Sequence, residues 1–93
     1  ALAEAGARVH VADLDADGVR RFAASHRMSP HVFDVSDRAA AHGAVAAILR
    51  SEGRLDILVN AAGGVCGQVG RPVEEIEEAD WHAIFKANVD GAF

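Results

Sequence analysis

Four stretches of this sequence carry side chains that could do chemistry. Asp13 closes the apolar run Val9-His10-Val11-Ala12, Asp34-Val35-Ser36-Asp37 follows His31-Val32-Phe33, and Asn60-Ala61-Ala62-Gly63-Gly64 follows Leu55-Asp56-Ile57-Leu58-Val59. The fourth is Asn88, near the end of the chain. An acidic residue closing the second strand of a dinucleotide-binding sheet accepts the adenosine ribose hydroxyls, so Asp13 is a candidate for that role. Taken alone, Asp13 reads more simply as a strand-end or helix-capping carboxylate. Gly63 and Gly64 allow a sharp turn and a close backbone approach to a ligand. Asn88 falls seven residues after Trp81 and four after Ile84, on the apolar stripe of its helix. A buried amide without partners there would cost about 1–3 kcal/mol, so either a neighbouring backbone or a reacting system must satisfy it.

These residues need strands and helices to hold them. Residues 7–13 are short, β-branched and closed by a polar cluster, which predicts a strand ending at Asp13. Asp15 or Asp17 can cap a following helix in which Val19, Phe22, Ala23 and His26 recur at helical spacing. Pro30 forbids its continuation, and residues 31–35 predict a second strand. Ser36 is placed to cap an Ala-rich helix over 37–52, with Ala41, Ala44, Val45, Ile48 and Leu49 as its stripe and Gly53 as its stop. Residues 55–60 are nearly continuous in apolar side chains, as in a parallel strand covered on both faces. Asp80 can cap a last helix presenting Trp81, Ile84, Phe85, Val89 and Ala92. Strands alternating with helices predict an α/β fold, a Rossmann-like doubly wound parallel sheet, with ligands beyond the carboxyl ends of its strands.

The composition limits what such a fold can do. The chain has 93 residues and a formal charge of −5, with eight Arg, a single Lys (Lys86) and no Tyr. A tyrosine acid/base is therefore excluded within it, and the basic footprint of a nucleic-acid binder is missing. No apolar run approaches the roughly 20 residues of a membrane helix. One cysteine, Cys66, cannot form an internal disulfide, and a reducing, cytoplasmic setting is the expectation. The histidines at 10, 26, 31, 42 and 82 show no metal-ligand helical spacing, so surface or packing roles are expected and no metal is proposed. Gly64, Gly67 and Gly70 lack the spacing of a phosphate loop and read as a flexible loop.

Taken in order, Val9-His10-Val11-Ala12-Asp13, Asp34-Val35-Ser36-Asp37, residues 56–63 and Asn88-Val89-Asp90-Gly91-Ala92-Phe93 resemble the short-chain dehydrogenase/reductase family across essentially the whole chain. That resemblance implies that Asp13 binds the adenosine ribose, that Asp34 and Val35 line the adenine pocket, and that Asn60, Ala61, Ala62 and Gly63 pass close to the cofactor. The family's Asn-Asn-Ala-Gly motif stands here as Asn60-Ala61-Ala62-Gly63, departing at its second position. The resemblance further implies that Asn88 holds a water in a proton relay and that the substrate is a small alcohol or carbonyl compound. A homodimer or homotetramer is the family's usual assembly. NAD is expected over NADP, because a 2′-phosphate would repel Asp13 and the flanking Ala12 and Leu14 offer it no cation.

The family's catalytic Ser and Tyr-x-x-x-Lys unit is absent, since there is no tyrosine and Lys86 does not match its lysine. Only twelve residues precede Asp13, whereas the phosphate-binding glycines of such a fold lie roughly 20 residues before the acid. The expectation is one partial NAD(P)-binding domain over 1–93, an internal segment of an enzyme of roughly 250 residues. It would lack the first strand and the C-terminal half of the sheet, and by itself would be marginally stable and inactive. The competing reading is a nucleotide-binding or regulatory module of the same fold that performs no chemistry. A methyltransferase is a third, although its Asn/Asp-Pro-Pro signature is missing after Val59.

Overall fold

A computed structural model describes all residues from 1 to 93. The opening residues form one helical turn that ends at Gly6, whose φ of 90° lets its N–H reach Ala3 O while the Ala7 N–H reaches Leu2 O. This is the left-handed stop a glycine supplies most readily. Strand β1 covers His10–Asp13, shorter than the predicted 7–13. It pairs in parallel with β2, Ser29–Val32, and sets His10 opposite Ser29, Val11 opposite Pro30, Ala12 opposite His31 and Asp13 opposite Val32.

β2 thus begins and ends earlier than the predicted 31–35. Pro30 has no N–H to give, but on an edge strand that N–H is not required by a further neighbour, so the proline lies within the strand rather than before it. The Phe33 N–H makes a last bond to Asp13 O at 3.2 Å, and the chain then leaves the sheet.

Between the strands runs α1, Ala16–His26. Asp15, not Asp17, is its cap, with Oδ1 accepting from the Gly18 N–H at 3.0 Å. Val19 and Ala23 turn inward and are buried. Phe22 and His26, predicted for the same face, remain exposed and stack on each other with ring centroids 4.2 Å apart.

Helix α2 covers Arg38–Glu52 and stops at Gly53, whose φ is 77°. Its cap is Asp37 rather than the predicted Ser36, because the N–H and the hydroxyl of Ser36 are both turned back onto Asp34 Oδ1 at 2.9 and 2.7 Å. Asp37 Oδ1 accepts from Ala39 N and Ala40 N at 2.9 and 3.1 Å. Replacing Asp37 by Ala should cost about 1 kcal/mol, read as a lowered urea midpoint at unchanged slope. Ser36→Ala should leave that midpoint closer to wild type, since it removes no cap.

Residues 55–60 correct the third strand. They join no ladder, the sheet has two strands, and Ile57, Leu58 and Val59 are 61%, 71% and 64% exposed. A strand forms only when a neighbour accepts from its N–H groups and donates to its C=O groups. No strand of this chain lies alongside 55–60.

The last helix, α3, covers Glu78–Phe85 and continues as a π-turn through Lys86–Asp90. Its cap position is Glu77 instead of Asp80, which sits in the first turn, where its charge suits the helix N-terminus. The acidic stretch before it contains a 3₁₀ turn at Val73–Glu75. The molecule is therefore α/β, with a parallel pair of strands and three helices, and its buried core is confined to Val19 and Ala23. The Cα radius of gyration, 15.4 Å, exceeds the about 12 Å of a compact domain of this length. No helix is long and apolar enough to cross a membrane.

Candidate functional site

The carboxyl ends of both strands open into one groove of about 230 Å³. Asp13 and Leu14 form one side of it, Phe33, Asp34 and Val35 the second, and Ala61, Ala62, Gly63 and Ala87 the third. Six of the residues singled out from sequence, Asp13, Asp34, Val35, Ala61, Ala62 and Gly63, are brought together here. Asn60 is exposed and outside the lining, and Asn88 stands just behind the wall rather than in it.

Each carboxylate has one oxygen engaged in a local turn. Asp13 Oδ1 accepts from the Asp15 N–H at 2.9 Å, which fixes the exit from β1. Asp34 Oδ1 takes both hydrogen bonds from Ser36. The Ser36 hydroxyl, then its N–H, then the Lys86 charge hold the Asp34 carboxyl below its ordinary range. Since carboxylates only accept, the second oxygens suit hydroxyl or amino donors and oppose anions. Leu14, Phe33 and Val35 add apolar walls. The two carboxylates are the polar side chains of the lining, and they offer acceptors to a ligand's donors.

Asn88 is exposed, contrary to the burial expected of it, and its amide is turned onto backbone. Nδ2 donates to Gly64 O and to Ile84 O, both at 2.7 Å, and Oδ1 accepts from the Gly64 N–H at 3.0 Å. The amide closes a ring with both polar groups of Gly64. A side-chain carbon on Gly63 would fall well inside contact distance of Asn88 Oδ1, so glycine at 63 is what permits the close approach.

Three positions of the groove, Leu14, Phe33 and Ala87, escape sequence reasoning, as does the role of Gly91 beside it. Leu14 and Phe33 read as ordinary apolar residues beside the acids. Gly91 carried a signal, an isolated glycine in a helical pattern. A Cβ there would collide with Val35 Cγ2 and Ala87 O, so the end of α3 closes directly on Val35. The histidines are not all peripheral: His10 and His31, 21 residues apart in sequence, meet across the strands.

A family model described as enoyl-(acyl carrier protein) reductase matches residues 1–93. The chain is 38% identical over 97 residues to the BbsD subunit of (2S)-[(R)-hydroxy(phenyl)methyl]succinyl-CoA dehydrogenase from Thauera aromatica, covering 99% of this chain and 38% of that protein. It is 37% identical over 102 residues to D-threitol dehydrogenase of Mycolicibacterium smegmatis, covering 100% of this chain and 36% of that one. It is 41% identical over 98 residues to galactitol 2-dehydrogenase of Rhizobium johnstonii, covering 100% and 37%. The chain thus spans well under half the length of these relatives.

Proposed function

Because this chain belongs to the short-chain dehydrogenase/reductase family, we propose that it forms the adenosine-binding part of an oxidoreductase acting on a small alcohol or carbonyl substrate. The observation that carries this reading is the convergence of Asp13, Asp34, Val35 and Ala61 to Gly63 on one groove at the strand ends. The free oxygen of Asp13 would accept the ribose hydroxyls, and Phe33 and Val35 would flank the adenine, with Asp34 accepting from its amino group. Gly63 would leave room for the cofactor backbone. A bound nicotinamide dinucleotide would supply or take the hydride.

NAD is favoured over NADP by charge. A 2′-phosphate beside Asp13 would meet a carboxylate, and no groove-lining residue is basic. Asn60 would lie against the cofactor at the start of the turn leading into this wall. Asn88 would belong to the proton relay. With both Nδ2 donors bonded to carbonyls, its side chain retains one Oδ1 lone pair, so its side chain acts chiefly by holding Gly64. Self-association belongs to the same proposal, through α3, where Trp81 and Phe85 lie 4.7 Å apart with exposed rings.

A second reading, a nucleotide-binding module without chemistry, rests on the same groove, whose polar side chains are two carboxylates suited to accept a ligand's hydrogen bonds. Titrating the protein that carries this segment with NAD and NADP, and following nicotinamide absorbance with a panel of small polyols, separates the two. Saturable binding with NAD preferred and an absorbance change on substrate addition is the expected result. Binding without turnover supports the module, and no binding of either dinucleotide overturns the groove assignment.

A further inference from the structure

On the sheet face opposite α1, four ionisable side chains from separate parts of the chain form one connected group. His10 of β1 and His31 of β2 bring Nδ1 and Nε2 to 2.9 Å, with ring centroids 5.2 Å apart. His10 Nε2 lies 3.4 Å from Glu52 Oε1 at the C-terminus of α2. Arg8, just before β1, bonds the other oxygen of Glu52. The His10 and Glu52 side chains are only 14% and 19% exposed. No residue of α2 is buried, so this group is a principal tie between that helix and the sheet.

We propose that His10, His31, Glu52 and Arg8 form a proton-sensitive clasp whose His10–His31 contact opens, releasing β2 from β1, when both imidazoles are protonated. With both imidazoles neutral, His10 donates from Nε2 to Glu52 and accepts at Nδ1 from His31 Nε2–H. One proton taken from solvent is accommodated. His10 becomes a cation between the Glu52 carboxylate and the lone pair of His31, and His31 carries its own hydrogen on Nδ1. A second proton would set two N–H groups and two positive charges against each other at this separation, and the contact must open.

Burial, and then the neighbouring His10 charge, already hold His31 below the ordinary imidazole range. Its lowered value in the folded chain means that stability is complete above about pH 6.5 and is lost as pH falls through the folded value. The Arg8 hydrogen bond chiefly holds the Glu52 carboxyl low, so its contribution persists into more acid solution. The clasp spans the four-residue ladder from its first rung, at His10, to its third, at His31. Its opening therefore loosens the rung from Phe33 N–H to Asp13 O at the mouth of the groove. None of this depends on what the groove binds.

Histidine ring resonances followed against pH, together with the amide-exchange protection of Phe33, test the clasp in the protein that carries this segment. The His31 ring should titrate below the ordinary imidazole range. Phe33 protection should fall on the order of tenfold across that step. His31→Gln keeps an N–H donor towards His10 without a titrating group, and should abolish the step while preserving Phe33 protection at pH 8. A His31 ring that titrates within the ordinary imidazole range in the wild-type protein overturns the proposal, as does an unchanged acid loss of Phe33 protection in His31→Gln.

Discussion

Replacing Gly63 by Ala is expected to destabilise the protein by about 2 kcal/mol, the strain of a residue held at positive φ plus the loss of hydrogen bonds around it. The φ of Gly63 is 155°, and the added carbon would displace Asn88 Oδ1. Asn88 cannot yield cheaply. Swinging its amide away breaks the bonds to Gly64 N–H, Gly64 O and Ile84 O together. A double-mutant cycle makes the argument quantitative. In an Asn88→Ala background the obstruction is gone, so Gly63→Ala should cost less there by about 1 kcal/mol or more. Urea unfolding of the four proteins measures it, and strict additivity would show that the two residues do not meet. The single variants should also weaken nucleotide binding, because Gly63 forms part of the groove wall.

Asp13→Ala is the second large effect. If the free oxygen of Asp13 accepts ribose hydroxyls, each charge-assisted bond is worth about 1.5–3 kcal/mol, and NAD affinity should fall on the order of 10- to 100-fold. NADP affinity should fall much less or rise, since the carboxylate that opposes a 2′-phosphate has gone. Asp13→Asn separates the two contributions. Its amide oxygen can still accept from the Asp15 N–H, which keeps the turn after β1, but the charge is lost. The expected order of NAD preference is wild type, then Asn, then Ala, by isothermal titration with both dinucleotides. An NAD-to-NADP ratio unchanged in Asp13→Ala refutes the assignment.

The parts of the fold legible in the sequence are those set by short-range chemistry. Gly6 and Gly53 end helical turns because a left-handed residue is needed there, and α1 starts at its acidic pair, where the structure chose Asp15 over Asp17 because its carboxylate reaches an N–H three residues on. The helix and strand order follows from periodicity, and with it the expectation that Asp13, Asp34 and Gly63 share one end of the sheet. Competition between neighbouring caps was not legible. Ser36 and Asp37 both suit the start of α2, and the choice fell to Asp37 because Asp34 holds both Ser36 donors. Asp80 lost its predicted place because the helix starts earlier, with Glu77, three residues before it, at the cap position.

By itself, then, the sequence determined the α/β class, the family and the residue types that line the groove. Tertiary structure alone decided which apolar run became a strand. Residues 55–60 have the composition of one, but hydrogen-bond pairing is a property of two segments and no neighbour accepts theirs. It also decided what each functional side chain faces. Asn88 reads as a buried relay residue, yet its amide is directed to the backbone of Gly64, 24 positions away. His10 and His31 carry no local signal, and they meet only because the parallel register places Ser29 opposite His10 and His31 opposite Ala12. Local propensity acts over a few residues, whereas contacts across strands depend on register and packing, which no short stretch of sequence encodes.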